Sequence, residues 1–178
     1  MGNNVPDKES KDEIIENIID TAKSYIGETY WAKDVERVAS LNEKVCFEEG
    51  EWKCNLFVYE VILEAGYDIG CPNRKHFYNI LRNPRPPTTH DWYNQQIRNF
   101  NYIGEGNEGK RALEEGDIIT DNTHMGIASY NRGWKTISAG KYEVLENDWG
   151  IERSANPIRI FRYAPGYNLW PETPHVIW

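Results

Sequence analysis

Two stretches of the sequence have apolar residues at helical spacing. Between residues 11 and 25, four isoleucines and Ala22 recur every three or four positions, acidic residues occupy the first turn, and Gly27 follows. This pattern predicts an amphipathic helix. Residues 54–65 are apolar on nearly every face, and Gly66 follows them. A helix of this kind is typically central and buried, and the glycine ends it.

The second half of the chain has short β-prone stretches separated by turn sequences. They are DIIT (117–120), HMGIASY (124–130), KTISA (135–139), YEVLEN (142–147) and PIRIFRY (157–163). The Asp-Asn, Asn-Arg-Gly and Gly-Lys turns between them indicate an antiparallel meander of about five strands. Asp117, before the first strand, is expected to be a structural turn residue. Helices followed by a sheet predict an α+β fold, with the central helix packed on a curled sheet.

The other segments have less regular patterns. Residues 32–50 are expected to form a loop or a short helix. Residues 67–112 contain four prolines and are expected to form a long, loop-rich excursion over the surface. Residues 1–10 are polar and are expected to be flexible. Because 178 residues is the size of one domain, we expect residues 1–178 to form a single domain.

The charge balance limits the kinds of partner. The chain has a formal net charge of −8 and a pI near 5.1. Binding to nucleic acid requires clustered Lys and Arg, so this balance argues against nucleic-acid partners and against anionic lipid. No window approaches the roughly 18 apolar residues of a spanning helix, so we expect no membrane insertion. The sequence MGNNVPDKESKDE at the start has no signal region, which leaves export by another route or removal of a signal open.

Three cysteines, at positions 46, 54 and 71, are candidates for chemistry. Their separations of 8 and 17 residues fit no common zinc spacing, and no CxxC pair occurs. We therefore expect no metal site. A disulfide between Cys46 and Cys71 remains open, but the preferred interpretation is that both are small buried residues.

Cys54 stands at the first position of the predicted central helix. Unpaired backbone N–H groups and the helix dipole favour an anion at that place, so the thiolate of Cys54 is expected to be stabilised. Of the four histidines, His124 is the one that opens a predicted strand. A strand packed beside the helix can hold an imidazole against the sulfur, which predicts a nucleophile and base of the kind that cysteine hydrolases use.

Four blocks of the sequence, in this order, resemble the NlpC-type and CHAP-type peptidoglycan peptidases. They are AKSYIGETYW (22–31), KCNLFVYEVILEAG (53–66), EGDIIT (115–120) and HMGIASY (124–130). The resemblance implies a papain-like fold, in which the helix that begins with the nucleophile packs on an antiparallel five-stranded half-barrel. It also implies cleavage of an amide bond in the stem peptide of bacterial peptidoglycan, through a thioester, with no metal or organic cofactor.

The resemblance implies roles for single residues. Cys54 matches the nucleophile of the family and His124 its base. Ser138 occupies the strand position where the family often has His, Asn or Asp to orient the imidazole, and Asp148 is the alternative for that role. Tyr30 matches a tyrosine that lies near the oxyanion.

Several aromatic residues are candidates for contacting the substrate. Tyr30, Trp31, Trp92 and Trp149 are expected to line a groove for sugars and peptide, although aromatic residues more often belong to the core. Asp148 is a further candidate for substrate binding. The assignment of these residues to substrate binding depends on the expectation that the protein is a peptidoglycan hydrolase.

The sequence therefore favours a peptidoglycan hydrolase that acts as a secreted, periplasmic or cell-wall protein. If it is an antibacterial effector, an immunity protein that covers Cys54 is an expected partner. Two alternatives remain open. The same pair of residues can serve acyl transfer or amide cleavage on a substrate outside the cell wall, or the chain can be a catalytically inactive binding module of the same fold.

Overall fold

A computed structural model of the chain describes residues 11–38, 46–67, 69, 86–94, 97, 99–130, 132–149 and 157–164. Residues 1–10, which were expected to be flexible, lie outside the described residues, and so does Cys71. The elements, in chain order, are α1 (Lys11–Ser24), β1 (Arg37–Val38), β2 (Cys46–Phe47), α2 (Cys54–Glu64), α3 (Thr89–Tyr93), β3 (Phe100–Glu105), α4 (Gly106–Arg111), β4 (Ile118–Thr120), β5 (Met125–Tyr130), β6 (Trp134–Ala139), β7 (Val144–Asn147) and β8 (Arg159–Tyr163).

Helix α1 is the amphipathic helix that its sequence predicts. Its apolar face is buried in the core through Ile18, Ile19 and Ala22, and acidic side chains occupy its first turn. After the helix the chain turns at Gly27, whose φ is +89°. The N–H of Gly27 donates to the carbonyl oxygen of Val144 at 2.9 Å, which attaches the end of α1 to strand β7.

Helix α2 is central and buried, as predicted. Residues 54–62 are all buried, and α2 contacts α1, β5 and β6. The helix ends at Gly66, where φ is +94°. The N–H of Gly66 donates to Leu63 and that of Tyr67 donates to Ile62, both at 3.0 Å, which is the Schellman arrangement that a glycine permits. The buried faces of α2 thus fix its first residue, Cys54, relative to the sheet.

The main sheet is antiparallel and has six strands in the order β3-β8-β4-β5-β6-β7. The predicted α+β class is confirmed, and all five predicted strands are present. The sheet is not the predicted simple meander, because β8 lies between β3 and β4. Pairing of β8 with strands about 40 to 60 residues earlier is a long-range contact, and local hydrophobic patterns carry no information about such contacts.

The excursion predicted for residues 67–112 lies partly outside the described residues, and residues 86–94, 97 and 99–112 differ from it. They contribute the edge strand β3 and the core residues Trp92, Ile97 and Phe100. The ring of Trp92 packs against Phe100 and Phe161, with centroids 4.7 and 5.7 Å apart. Pro86 and Pro87 make the start of this segment resemble a loop, but Trp92 and Phe100, which follow them, are buried and pack against β8.

Two smaller predictions are also wrong. Within residues 32–50, the structure has the two-stranded sheet β1–β2 where a loop or a short helix was expected. Cys46, expected to be buried, is exposed on β2. A strand of two residues is too short to produce an alternating pattern of apolar and polar residues, so the sequence shows no sign of it.

Asp117 has the structural role that its sequence predicts. Both of its carboxylate oxygens accept hydrogen bonds from the Arg162 guanidinium of β8 at 2.7 Å, and one accepts from the backbone N–H of Glu114 at 2.8 Å. Burial raises the pKa of Asp117, and the bonds from Arg162 oppose that rise. The residue therefore anchors the turn before β4 to β8.

In the described part of the chain, no helix has the length and apolar composition needed to cross a membrane.

Candidate active site

Cys54 lies at the first position of α2 and is 2% exposed. Backbone groups of Cys54, Asn55 and Met125 lie close enough to the thiol to lower its pKa. Because they favour the charged form, they present N–H groups to the sulfur. The helix start therefore surrounds Sγ with donors that can also bind a developing negative charge.

Burial nevertheless raises the pKa of the Cys54 thiol to about 11. The N–H groups of the helix start lower the pKa, and the nearby carboxylate of Asp121 raises it further. The prediction of a stabilised thiolate is therefore wrong for the free protein. The pKa is raised because removing the sulfur from water disfavours the charged form more strongly than the helix start favours it.

His124 is held by the turn that precedes β5. The Oδ1 atom of Asp121 accepts hydrogen bonds from the backbone N–H groups of Thr123 and His124, both at 2.9 Å, and from the Thr123 hydroxyl at 2.7 Å. This turn fixes the backbone from which the imidazole projects. Sequence reasoning missed Asp121 as a site residue, although an Asp three residues before the histidine is a recognisable turn signal.

The His124 ring is fixed by one hydrogen bond and two tryptophans. Its Nε2 atom lies 3.2 Å from Oγ of Ser138 on β6. The rings of Trp149 and Trp52 are 4.3 and 6.4 Å away, each in an edge-to-face arrangement. Burial lowers the pKa of His124 to about 4, and the charge of Asp121 opposes this decrease. At neutral pH the imidazole is therefore uncharged.

Ser138 lies against the ring of His124. The backbone of Met125, the residue after His124 in the chain, lies close enough to the thiol of Cys54 to lower its pKa. Strand β5 then passes close to β6 at Gly126, where an added Cβ atom would lie 2.9 Å from Cβ of Ser138. The helix start and the two strands thus form one site, which we call the Cys54 site.

Two segments border the Cys54 site. On one side Trp52 is 51% exposed and faces the ring of His124. On the other side the amide of Asn55 donates to the carbonyl oxygen of Pro87 at 3.3 Å. Thr89 Oγ1 donates to the carbonyl oxygen of Asn122 at 3.1 Å, so α3 is attached to the turn before His124. Sequence reasoning missed Trp52, whose position two residues before Cys54 was the available signal.

Tyr30 and Trp31 lie beside a different part of α2. They line a cleft of about 630 Å³ together with Arg37 and Glu60. Trp31 is largely buried and donates its ring N–H to Glu60 at 2.7 Å, whereas Tyr30 is 54% exposed. Glu60 is about 9 Å along the helix from Cys54, and the predicted place of Tyr30 near the oxyanion stays a prediction.

Trp92 and Asp148 are the other two residues that were predicted to bind substrate. Trp92 is 1% exposed and belongs to the core, so its predicted place in a groove is wrong. Asp148 follows β7 and is partly buried. The oxygen that meets the His124 ring is that of Ser138, and the carboxylate that acts on the pKa of His124 is that of Asp121.

Among the residues that the structure describes, no group of three His, Cys, Asp or Glu side chains is arranged to hold a metal ion. Comparison of the chain with protein-family models, with curated proteins and with solved structures finds no match.

Proposed function

We propose that this protein is a cysteine peptidase or amidase that cleaves an amide bond in the peptide part of bacterial peptidoglycan. One observation carries the proposal: a thiol at the start of a buried helix lies among backbone N–H groups, beside the strand that begins directly after His124, whose imidazole is neutral. The central helix on an antiparallel sheet is compatible with a papain-like fold, which is part of the proposal.

The first step of the proposed reaction forms a thioester. Sγ of Cys54 bonds to the carbonyl carbon of the substrate while its proton passes to the ring of His124. The resulting oxyanion is held by N–H groups of the helix start. His124 then gives the proton to the amide nitrogen, the C–N bond breaks, and the amine leaves.

The second step restores the enzyme. Water gives a proton to His124 and attacks the thioester carbon, the C–S bond breaks, and the acid product leaves while the thiol is protonated again. In both steps Ser138 orients the imidazole. For His124 to accept a proton at Nδ1, its Nε2–H must donate to the hydroxyl oxygen of Ser138, which fixes the tautomer.

The choice of a cell-wall substrate is supported by the four sequence blocks that resemble the NlpC-type and CHAP-type enzymes. If the substrate is the cell wall, the protein is expected to be secreted, periplasmic or associated with the cell wall. If the protein is an antibacterial effector, an immunity protein that covers Cys54 is an expected partner. A substrate outside the cell wall would leave the chemistry of the Cys54 site unchanged and would appear in the product analysis.

The test is digestion of purified peptidoglycan by the parent protein and by Cys54→Ala, with the released fragments identified by mass spectrometry. Cys46→Ala is the matched control, because Cys46 is a free cysteine that is exposed on β2. We expect new fragments from the parent and from Cys46→Ala, and none from Cys54→Ala. Fragments from all three proteins would exclude Cys54 as the nucleophile.

A binding module without catalytic activity is the second candidate, and the burial of Cys54 favours it. A thiol that is 2% exposed with a pKa of about 11 is a poor nucleophile until substrate changes its surroundings. The hydroxyl of Ser138 also stabilises an imidazolium less than a carboxylate does. Co-sedimentation of folded parent protein with peptidoglycan, without release of any fragment, would support this candidate.

A further inference from the structure

Lys53, the residue before the proposed nucleophile, is a buried cation. It is 1% exposed. Its Nζ atom lies 3.0–3.2 Å from four backbone carbonyl oxygens, here called the carbonyl cage, which belong to Ala32, Lys33, Glu48 and Glu51. An ammonium group has three N–H donors and no acceptor, so the carbonyl cage satisfies all of its hydrogen bonds. Burial lowers the pKa of Lys53, and the charge of Glu51 opposes this decrease.

The position of Lys53 is unfavourable for the helix that follows it. Lys53 is the N-cap of α2, and its side chain makes no capping hydrogen bond. Ser, Thr, Asp and Asn are preferred at N-caps because their oxygens accept an N–H bond from the first turn. A cation there also opposes the helix dipole. The stability of α2 by itself therefore does not explain a buried lysine at this position.

The uncapped helix start has a consequence for Cys54. The first N–H groups of a helix have no partner within the helix, and those of Cys54 and Asn55 lower the pKa of the thiol. An oxygen on the side chain of residue 53 would accept a bond from the N–H of Asn55 or Leu56 and compete for these donors. Lys53 has no acceptor atom, so its side chain leaves the donors available to sulfur and to an oxyanion formed there.

The carbonyl cage supplies the support that a capping side chain would otherwise give. It joins the segment after α1, the turn after β2 and the beginning of α2. Backbone bonds extend this support: the N–H of Gly50 donates to Lys33 at 2.8 Å, and the N–H of Lys33 donates to Lys141 at 2.9 Å. The start of α2 is thus attached to the loop that follows β6, the strand that carries Ser138.

We propose that Lys53 is a positioning residue, which holds the first turn of α2 against the sheet while leaving its N–H groups uncapped. Its effect on turnover rests on the proposed function of the Cys54 site. Its effect on the N–H groups of Cys54 and Asn55 is independent of which reaction the site performs.

Two substitutions distinguish the support that the ammonium group gives to the helix start from the effect of a capping oxygen. Lys53→Met removes the ammonium and adds no capping oxygen, whereas Lys53→Ser removes the ammonium and adds an oxygen that can cap the helix. We expect Lys53→Ser to have the higher Tm of the two and yet a kcat at least about tenfold lower, with similar KM, because the cap engages donors needed by the oxyanion. Lys23→Met is the control, since Lys23 is half-exposed on α1 and pairs with Glu115.

A third variant tests the carbonyl cage by chemical rescue. Lys53→Ala leaves space for n-propylammonium, which replaces the missing part of the lysine side chain. We expect n-propylammonium to raise both the Tm and the kcat of Lys53→Ala, and n-propanol, which lacks the charge, to raise neither. Hydrogen exchange of the Cys54 and Asn55 amides, measured in the same proteins, is expected to slow on addition of the amine.

Equal kcat and equal amide exchange in Lys53→Met and Lys53→Ser would overturn the proposal. If neither variant folds, Lys53→Ala with n-propylammonium decides: a restored fold without restored kcat makes Lys53 a purely structural residue, and no restored fold overturns the role of the ammonium group in the carbonyl cage. If the parent protein releases no fragments from peptidoglycan, the proposed function fails, and amide exchange alone then tests the positioning of the helix start.

Discussion

At the level of single residues, the thiol of Cys54 and the imidazole of His124 are both uncharged at neutral pH. Burial raises the pKa of one to about 11 and lowers that of the other to about 4. A thiolate–imidazolium pair is therefore disfavoured before substrate binds. In the proposed reaction the proton must move as the new bond forms, with the N–H groups of the helix start stabilising the charge that appears.

Alkylation measures the state of Cys54 directly. Because the thiolate is the nucleophile, we expect labelling of Cys54 by iodoacetamide to rise about tenfold per pH unit from pH 7 to pH 10. Exposed Cys46 serves as the internal comparison and should be labelled faster than Cys54 at pH 7. Peptide mass spectrometry follows both cysteines in one sample. Rapid labelling of Cys54 that does not change between pH 5 and 8 would instead indicate a resting ion pair.

His124 makes the stability of the fold depend on pH. Its pKa falls from an ordinary value of 6.5 to about 4 in the folded protein, so between these values the unfolded chain binds a proton that the folded chain does not. The free energy of unfolding should therefore decrease as pH falls, by roughly 1–2 kcal/mol between pH 7 and pH 5.

Urea denaturation at the two pH values checks this prediction. In His124→Gln the part of the decrease that comes from this residue should disappear. His90→Gln, which changes an exposed histidine on α3, should retain it. An unchanged pH dependence in His124→Gln would show that other groups are responsible.

At the level of elements, the close approach of β5 and β6 positions Ser138 next to His124. A Cβ atom at Gly126 would lie 2.5 Å from the methyl group of Thr136 and 2.9 Å from Cβ of Ser138. We expect Gly126→Ala to push the strands apart, to lower the free energy of unfolding by about 1–3 kcal/mol, and to slow hydrolysis.

The comparison for Gly126→Ala is Ser129→Ala on the same strand. It removes a hydroxyl that donates to Glu146 at 2.8 Å but leaves the spacing of the strands unchanged. Chemical denaturation and the rate of peptidoglycan digestion should both be measured. Full activity in a folded Gly126→Ala protein would show that the site tolerates displacement of Ser138.

The elements that could be predicted are those with a strong local pattern. Helices α1 and α2 have helical periodicity over three or more turns, and Gly66 marks the end of α2. Strands β4 to β8 are bounded by turn residues. Strand β3 was missed because it follows a proline-rich segment, and the position of β8 was missed because strand order depends on contacts between distant residues.

The sequence indicated which residues form the candidate site better than it indicated their pKa values. The sequence patterns indicated Cys54 and His124, and the resemblance to the cell-wall peptidases added Ser138. The pKa of Cys54 was predicted in the wrong direction, because the helix start is a local feature while burial is a property of the whole fold. Trp52 and Asp121 were missed, since their contacts with His124 or its turn appear only once the chain is folded.

At the level of the whole molecule, Arg162 connects β8 to the turn before β4. It bonds to the buried carboxylate of Asp117 and, at 2.6 Å, to Glu114. Arg162→Met would leave the Asp117 charge buried without this partner, and breaking such a pair typically costs about 3–5 kcal/mol. We expect a loss of this size in urea denaturation.

The double variant Arg162→Met/Asp117→Asn separates the charge from the loss of packing. Removing the remaining charge should recover part of the lost stability. Arg159→Met, which breaks the more exposed pair with Glu105, should cost less than Arg162→Met. Equal losses in the two arginine variants would show that burial of Asp117 is not the cause.

The place of β8 in the sheet also affects how the chain folds as it is made. Strands β3 and β4 leave the ribosome before β8, which separates them in the finished sheet, has been synthesised. At about 5–20 residues per second, several seconds pass before Arg159–Tyr163 arrives. During that time the nascent chain presents two unpaired strand edges, which are templates for pairing with other chains. Translation speed and chaperone access, which leave the final structure unchanged, would then decide how much active protein a cell obtains.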